Sequence, residues 1–289
     1  MFNLAKRNSI IYFRNKRLVL TSLAGALIVI VLYVIFLGNN LKAHYSQYTE
    51  LSQIDYLMNS WAMAGLISVV SVTTTLGSLS VMLLDRTTSR NKDFLSSPIK
   101  SWTLGAGYIL STYFVGVIMT VATLIVSEIY ILCTGGQLLS ISSMLEALLI
   151  IMLTVLTASS ITFFIVSLVR NADIFPTVST IIGASVGFLA GIYIPIGDFP
   201  KGVQAAIQLF PISHGALLLR QVMMNAPMKA VFNGTSANTL SAFQQRMGVV
   251  YWLGNTRESL LLHIVYMAGT AILLYGLALF ISSKKQKEF

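Results

Sequence analysis

The residues best suited to contact a soluble partner lie in one short polar segment between two long apolar runs. Charges of both signs precede the apolar pair Phe94-Leu95, and Pro98 follows that pair closely. Because proline cannot continue a helix, a short charged helix would end there and expose its apolar pair. Such a helix suits a groove on a soluble partner, and an ordinary basic loop is the alternative interpretation. The charged residues of the segment are Asp85, Arg86, Arg90, Lys92 and Asp93.

Three ionisable side chains lie within or beside apolar sequence, where charge is costly and therefore a candidate for function. Glu128 is well inside an apolar run. It could bind a cationic substrate, or it could be a hydrogen-bonded residue near the end of a tilted helix. His214 and Arg220 lie in a later segment that is broken by prolines. They could line a substrate pathway, or they could satisfy backbone carbonyls that the breaks set free.

The residue types give little support for ATP hydrolysis, metal binding or hydrolase activity. The chain contains no Gly-Lys dipeptide, so it has no phosphate-binding P-loop and does not hydrolyse ATP by itself. Three histidines, one cysteine and scattered carboxylates show no spacing typical of a zinc site, so we expect no metal. His263 is interpreted as a packing residue. No serine, histidine and acid share one predicted face, which argues against a hydrolase, although spacing alone does not decide that point.

Composition places these residues in a membrane protein. Of 289 residues, 55% are hydrophobic and only 10% are charged, against about 25% charged in a soluble domain. Six runs of about 20 or more nearly uncharged residues are long enough to cross a hydrocarbon core of about 30 Å. Because the runs lack the alternation of barrel strands, they predict an all-α integral membrane protein with six transmembrane helices. The runs are Leu18–Gly38, Trp61–Leu84, Leu104–Ile131, Leu145–Val169, Ile174–Ile194 and Leu260–Ile281.

The net charge of +9 is concentrated beside the apolar runs. This placement indicates an anionic membrane surface, rather than nucleic acid, as the partner of the basic residues. With the N-terminus in the cytoplasm, most basic segments fall on the inner side, as the positive-inside rule requires. An even number of helices then places both termini in the cytoplasm. Residues 1–17, which are basic and apolar, predict an amphipathic interfacial helix or a simple topology anchor.

The segment after the fifth run, residues 196–258, predicts an outer hairpin and an external loop. Prolines and glycines divide its first part into two apolar pieces, Lys201–Phe210 and Ala216–Met224. Each piece has about ten residues, too few to cross a bilayer, so a re-entrant hairpin near the outer mouth is expected. Helical spacing in the loop suggests an amphipathic helix that rests on the outer leaflet. Its apolar residues are Leu240, Phe243, Met247 and Val250.

The polar segment resembles a loop of the type-2 family of ABC-transporter membrane subunits, most of which are exporters. In that family an acidic and a basic residue leave the second helix, and Gly-Thr, a Leu-Leu pair and a proline follow. Here Asp85-Arg86 and Phe94-Leu95 match the two pairs, Pro98 matches the proline, and Ser89-Arg90 stands in place of Gly-Thr. The broken segment is similar to the family as well. Its matching residues are Gly191, Pro195, Pro200, Phe210-Pro211-Ile212-Ser213-His214 and Arg220.

The resemblance covers nearly the whole chain and implies a single type-2 transmembrane domain over residues 1–289. It implies that residues 85–101 form a cytoplasmic coupling loop. The partners implied are two copies of an ABC ATPase, which carry ATP and Mg²⁺, and a second permease subunit, identical or related. Cargo would leave a bacterial cell across the plasma membrane.

The nature of the cargo follows only from the character of the helices. Apolar helices with a single buried acid suit an amphipathic or hydrophobic cargo, such as a drug, a peptide antibiotic or a lipid. Two other classes of protein remain as alternatives. A membrane-embedded enzyme acting on lipid would need several converging polar groups. An ion-coupled carrier would need paired intramembrane charges or helices broken at mid-depth.

Overall fold

The computed structural model describes residues 1–33, 35, 51–88, 101–169, 172–253 and 256–285. Part of the predicted coupling loop, including Arg90, Lys92, Asp93, Phe94, Leu95 and Pro98, lies outside these residues. The described α-helices are α1 (Phe2–Arg14), α2 (Lys16–Leu32), α3 (Leu51–Thr87), α4 (Ser101–Cys133), α5 (Ile141–Leu168), α6 (Phe175–Leu189), α7 (Lys201–Leu209), α8 (Pro211–Met223), α9 (Asn225–Val231), α10 (Ala237–Arg246) and α11 (Leu260–Lys285). Two short antiparallel strands, β1 (Trp252–Leu253) and β2 (Thr256–Arg257), pair Trp252 with Arg257 and Leu253 with Thr256.

Four described helices, α3, α4, α5 and α11, are long and apolar enough to cross a membrane. The chain is therefore an all-α membrane protein, as its composition predicts. Helices α2 and α6 coincide with the first and fifth predicted spans but have 17 and 15 residues, fewer than the roughly 20 that a span needs. If each bent pair, α1 with α2 and α7 with α8, is one span, length and composition allow up to six. The assignment of six particular spans stays a prediction.

Helix α3 is the centre of the bundle. It contacts α1, α2, α4, α5, α6, α8 and α9, and most of its apolar window is buried, whereas most of that of α11 is exposed. Its buried hydroxyls donate to carbonyl oxygens one turn earlier, for example Thr74 to Val70 at 2.6 Å and Thr75 to Ser71 at 2.8 Å. Small residues with internally satisfied hydroxyls let several helices pack closely around one helix in an apolar environment.

The N-terminal helix has the form that residues 1–17 predict. Helices α1 and α2 meet at 77° at Asn15, so α1 runs in a direction very different from that of α2. Its face of Ala5, Asn8 and Tyr12 is buried, while Phe2 and Lys6 are exposed. This division of the surface suits an interfacial helix, whose position in the bilayer stays a prediction.

The proline-broken segment forms two short helices, α7 and α8, which meet at 90°. Proline at the start of α8 explains the bend, because Pro211 cannot donate a helical hydrogen bond to the preceding turn. The bent pair agrees with the expected hairpin, although its insertion into a bilayer stays a prediction. One expectation about the following loop was wrong. The face of α10 and its continuation packs into the protein rather than onto a leaflet, since Phe243, Met247 and Val250 are buried.

Candidate functional site

A buried aspartate near the end of α3 connects three helices. Asp85 accepts two hydrogen bonds from Arg7 of α1, from Nη1 to Oδ2 at 2.7 Å and from Nη2 to Oδ1 at 2.9 Å. The hydroxyl of Tyr108 in α4 donates a third bond to Oδ2 at 2.8 Å. The side chain of Asp85 is only 2% exposed, and that of Arg7 is 31% exposed. We call Arg7, Asp85 and Tyr108 the Asp85 cluster; Arg86 follows it in the last turn of α3.

The Asp85 cluster forms a stiff joint between α1 and the bundle. Two parallel bonds from one guanidinium fix the orientation of both partners, and a buried carboxylate without them would be costly. Close packing supports the joint, because a Cβ added at Gly107 would lie 2.5 Å from a methyl group of Leu4. The buried hydroxyl of Tyr12 also contacts Oγ of Ser22 at 2.5 Å. Helix α1 is therefore held beside the last turns of α3, which ends just before residues 89–100 in the sequence.

A second polar centre is the fully buried guanidinium of Arg220 in α8. Its Nη2 donates to the carbonyl oxygens of Ala190 and Gly191, each at 2.9 Å, just after α6 ends. The guanidinium carbon lies 4.9 Å from the centre of the Trp61 ring, within the range of a cation–π contact. Trp61 in turn donates from Nε1 to the carbonyl oxygen of Met247 at 2.8 Å. These bonds match the carbonyl-satisfying interpretation of Arg220; a role in a substrate pathway stays a prediction.

Glycines make room for the guanidinium of Arg220. Gly191 and Gly248 adopt positive φ of 62° and 66°, a conformation that favours glycine. A Cβ at Gly248 would lie 2.5 Å from Cδ1 of Ile196 and 3.2 Å from Nη1 of Arg220. The turn after α6 and the turn after α10 therefore both close around one buried cation.

His214 of α8 lies beside the start of α11. Its Nδ1 is 2.8 Å from Nδ1 of His263, and its Nε2 is 2.7 Å from the carbonyl oxygen of Gln208. The carboxylate Oε2 of Glu258 is 3.5 Å from Nδ1 of His263. Burial raises the pKa of the Glu258 carboxyl above its ordinary value. The contact of His214 with Gln208 again matches the satisfied-carbonyl interpretation, but the approach of His263 and Glu258 was not expected.

Glu128 is buried near the end of α4 and has a partner in its own chain. Its Oε2 accepts a hydrogen bond at 2.9 Å from the backbone N–H of Leu139, which precedes α5. The connection contains a turn at Thr134 and Gly135, where Gly135 has a φ of 88°. The carboxylate therefore closes the connection between α4 and α5, a local role that differs from the contacts with Ser127 or Tyr130 that proximity in sequence would suggest.

The candidate residues divide between the two ends of α3. Trp61, beside Arg220, is near its start, and Asp85 is near its end. The helical rise between these two residues is about 36 Å, which is comparable to the hydrocarbon thickness of a bilayer, about 30 Å. Arg220 lies beside Trp61, and His214 is on the same helix as Arg220. Glu128 is near the end of α4, beyond which Thr134 accepts a hydrogen bond at 3.0 Å from Asn59 of α3. The structure therefore does not join Asp85 to the residues of the predicted substrate pathway.

Sequence reasoning missed Arg7, Tyr108 and Glu258 as partners. The sequence contained a signal for Arg7, since Asp85 is an acid at the end of a long apolar run and the N-terminus is rich in basic residues that could pair with it. No comparable signal existed for Glu258, which approaches His214 only through the packing of α11 against α8.

Long apolar helices around a buried central helix define a multi-pass membrane protein. The family model for "ABC-2 family transporter protein" matches residues 34–280. Because this match covers most of the chain, the chain belongs to the ABC-2 transporter family and is a membrane protein that functions in transport. The family expected from the coupling-loop and hairpin residues is confirmed.

Shorter stretches are similar to two nodulation proteins. Over 86 residues the chain is 31% identical to Nodulation protein J of Rhizobium leguminosarum bv. trifolii. Over 86 residues it is 27% identical to Nodulation protein J of Rhizobium meliloti (strain 1021). Each match covers 30% of this chain and 33% of the relative, so the chain spans about a third of the length of the curated relatives it matches.

Proposed function

We propose that the chain is the membrane-spanning permease subunit of an ATP-driven ABC exporter, with both termini in the cytoplasm of a bacterial cell. The observation that carries this proposal is the Asp85 cluster. It fastens the basic helix α1 to α4 and to the end of α3, which precedes residues 89–100 in the sequence. A force applied to residues 89–100 by a soluble ATPase would therefore act on three helices at once rather than on one.

Helix α3 suits the transmission of such a force. It is one continuous helix of 37 residues, and it touches most of the other helices of the described structure. A rigid element of this kind can carry a displacement from the Asp85 end to the Trp61 end, where α8 and Arg220 pack against it. The proposed cycle is that ATP binding moves the coupling loop, and α3 then changes the access of cargo between its two ends.

We propose that the ATPase is a separate protein, a proposal supported by the lack of a P-loop in this sequence. We propose two copies of an ABC ATPase, with ATP and Mg²⁺ bound on them, as the partners of the coupling loop. A second permease subunit, identical or related, would complete the transporter. Helix α6 supports this pairing, because its exposed face combines the large apolar residues Ile181 and Phe188 with small residues that let helices approach closely. The small residues are Thr177, Thr180, Ala184 and Ser185.

The cargo we propose is amphipathic or hydrophobic, such as a drug, a peptide antibiotic or a lipid. The apolar windows of α4, α5 and α11 leave large aliphatic side chains exposed, among them Ile125, Leu149 and Leu273. Apolar surfaces of this kind face lipid, and cargo that itself partitions into lipid can reach them from within the bilayer.

The central test is the double substitution Phe94→Ala with Leu95→Ala. We expect the variant to insert normally but to lose transport that depends on ATP hydrolysis, because the apolar pair is the proposed contact with the ATPase. Tagged full-length chain would be captured from membranes, and the P-loop ATPase that accompanies it would be quantified. The matched control is Ser96→Ala with Ser97→Ala in the same segment. Equal recovery of the ATPase with the Phe94, Leu95 variant and with wild type would contradict the proposal.

The same experiment separates the rival functions. A membrane-embedded enzyme acting on lipid, or an ion-coupled carrier, would be active as a purified chain without any nucleotide-hydrolysing companion. Turnover of lipid or ion flux by purified chain in vesicles without ATP would therefore favour one of these rivals.

Glu128 allows a separate test of the cargo. In Glu128→Gln the amide oxygen can still accept from Leu139, so charge is removed while the closure of the connection is retained. If Glu128 binds cationic cargo, we expect a selective loss of cationic compounds, on the order of tenfold for one charge-assisted contact. The measurement is the ATP-dependent transport of cationic and neutral members of one compound series, with Glu128→Ala as the control that also removes the hydrogen bond. Equal transport of both classes by the Gln variant would assign Glu128 a structural role.

A further inference from the structure

Three metal-ligating side chains converge where α8 meets the start of α11. The ligand atoms of His214, Glu258 and His263 lie within 4.8 Å of one another. His214 and His263 are 4% and 1% exposed, and the Glu258 side chain is 10% exposed. We call these three residues the His-Glu cluster. Glu258 and His263 lie close together around the start of α11, but His214 belongs to α8, far away in the sequence, which is why spacing in the sequence shows no metal motif.

The hydrogen bonds of His214 leave one ring nitrogen free to act as a ligand. Its Nε2 faces the carbonyl oxygen of Gln208 at 2.7 Å. A carbonyl oxygen only accepts, so Nε2 must carry the proton and Nδ1 of the neutral ring has a lone pair directed at the cluster. A backbone carbonyl that orients the far nitrogen of a histidine in this way is typical of metal-binding histidines.

Glu258 has a buried carboxylate oxygen, Oε2, without a hydrogen-bond partner among the described residues. Burial of an unpaired carboxylate oxygen is costly, and Nδ1 of His263 is 3.5 Å away from it. Nε2 of His263 also lacks a partner there, and an ion bound at Nδ1 would leave that atom unchanged. A cation between the three residues would neutralise the carboxylate and accept a lone pair from Nδ1 of each histidine.

We propose that the His-Glu cluster is a binding site for a divalent transition-metal ion, with Zn²⁺ as the best fit. Two imidazole nitrogens and one carboxylate oxygen are a donor set that zinc accepts, with a fourth position left for water. Ligand atoms of one tetrahedral zinc ion lie about 3.3 Å apart. The 3.5 Å between Glu258 and His263 fits this value, and the 2.8 Å between the histidines must widen by several tenths of an ångström. All three ligand atoms lie within 4.8 Å of one another, so the separation of His214 and Glu258 must shorten to about 3.3 Å where it exceeds that value.

A bound ion would fasten the α7–α8 hairpin to α11, because His214 is in the first turn of α8 and His263 is in the first turn of α11. This consequence does not depend on the proposed function, since it concerns the stability of the hairpin and not the source of energy. The competing arrangement is a simple hydrogen bond between the two histidine rings, with no ion.

The test uses full-length chain in detergent micelles, purified through a histidine-free tag and freed of metal with a chelator. Co²⁺ is titrated while visible absorption is followed, and Zn²⁺ is then added as competitor. We expect one ion per chain, with ligand-field bands of tetrahedral nitrogen and oxygen coordination, and a higher unfolding temperature with Zn²⁺. Glu258→Gln should weaken Co²⁺ binding at least about tenfold, and His263→Asn about a hundredfold. His44→Ala, which changes the remaining histidine of the chain, is the control.

Absence of both the cobalt spectrum and the zinc-dependent stabilisation in wild-type protein would overturn the proposal, and would leave the hydrogen bond between the rings as the account of the cluster. Equal ion affinity in Glu258→Gln and wild type would overturn it as well. The wild-type titration decides the question even if a variant fails to fold.

Discussion

Arg220→Ala is expected to lower the free energy of unfolding by about 2–4 kcal/mol. Each hydrogen bond from a charged donor contributes about 1.5–3 kcal/mol, and relief of the buried charge offsets part of the loss. The substitution removes both bonds to the turn after α6 and the contact with Trp61. Loss of this cation would free two turns that close around it, so the hairpin end should loosen first.

Two further substitutions separate the causes of that loss. Arg220→Met keeps much of the apolar volume of the side chain without the charge. Arg220→Lys keeps the charge without the planar guanidinium group. Both should be less destabilised than Arg220→Ala, measured as unfolding temperature in the same detergent. Lys229→Ala, at an exposed position of α9, is the control and should unfold with wild type. An Arg220→Ala variant that unfolds at the wild-type temperature would contradict the structural role of the guanidinium.

Asp85→Asn is expected to reduce ATP-driven transport about tenfold or more while the chain still reaches the membrane. An amide keeps the size of the side chain but cannot accept two charge-assisted bonds from Arg7, so α1 should detach from α3. Measured as a double-mutant cycle with Arg7→Ala, the coupling between the two residues should be about 1.5–3 kcal/mol. The partial exposure of Arg7 should keep it at the lower end of that range, because water solvates part of the guanidinium.

Lys6→Ala is the matched control for the Asp85 cluster. Lys6 is adjacent to Arg7 on α1 but is exposed, so its loss changes the charge of the helix without touching the joint. Transport by Lys6→Ala should remain close to wild type. Additive effects of Arg7→Ala and Asp85→Asn on stability, with full transport in each, would show that the joint has no part in coupling.

The coarse fold could be predicted because it depends on local patterns. Uncharged stretches of bilayer length identify α3, α4, α5 and α11 whatever their neighbours are. The bend before α8 follows from the chemistry of Pro211 alone. The same local reasoning misplaced the face around Phe243, because an apolar stripe has the same spacing whether it covers a leaflet or another helix.

The candidate sites could be predicted only in part, because the role of a side chain depends on the group that it contacts in the folded protein. Asp85 could be identified as part of the charged segment and Arg220 from the cost of charge in apolar sequence, but Tyr108 carries no signal of either kind. For Glu128 the sequence left cargo and structure as alternatives, and its actual contact, the N–H of Leu139, depends on how the connection between α4 and α5 turns.

By itself the sequence determined that this protein is an integral membrane protein and that it is helical. It also determined that the protein belongs to the ABC-2 transporters and that the chain contains no P-loop. Those properties depend on composition, run length and short motifs, which do not change with packing. Only the tertiary structure decided that Arg7 pairs with Asp85 and that Arg220 binds the carbonyl oxygens of the turn after α6. It also decided that the side chains of His214, Glu258 and His263 lie next to one another. Contacts between residues so distant along the chain depend on how helices pack, which local patterns do not encode.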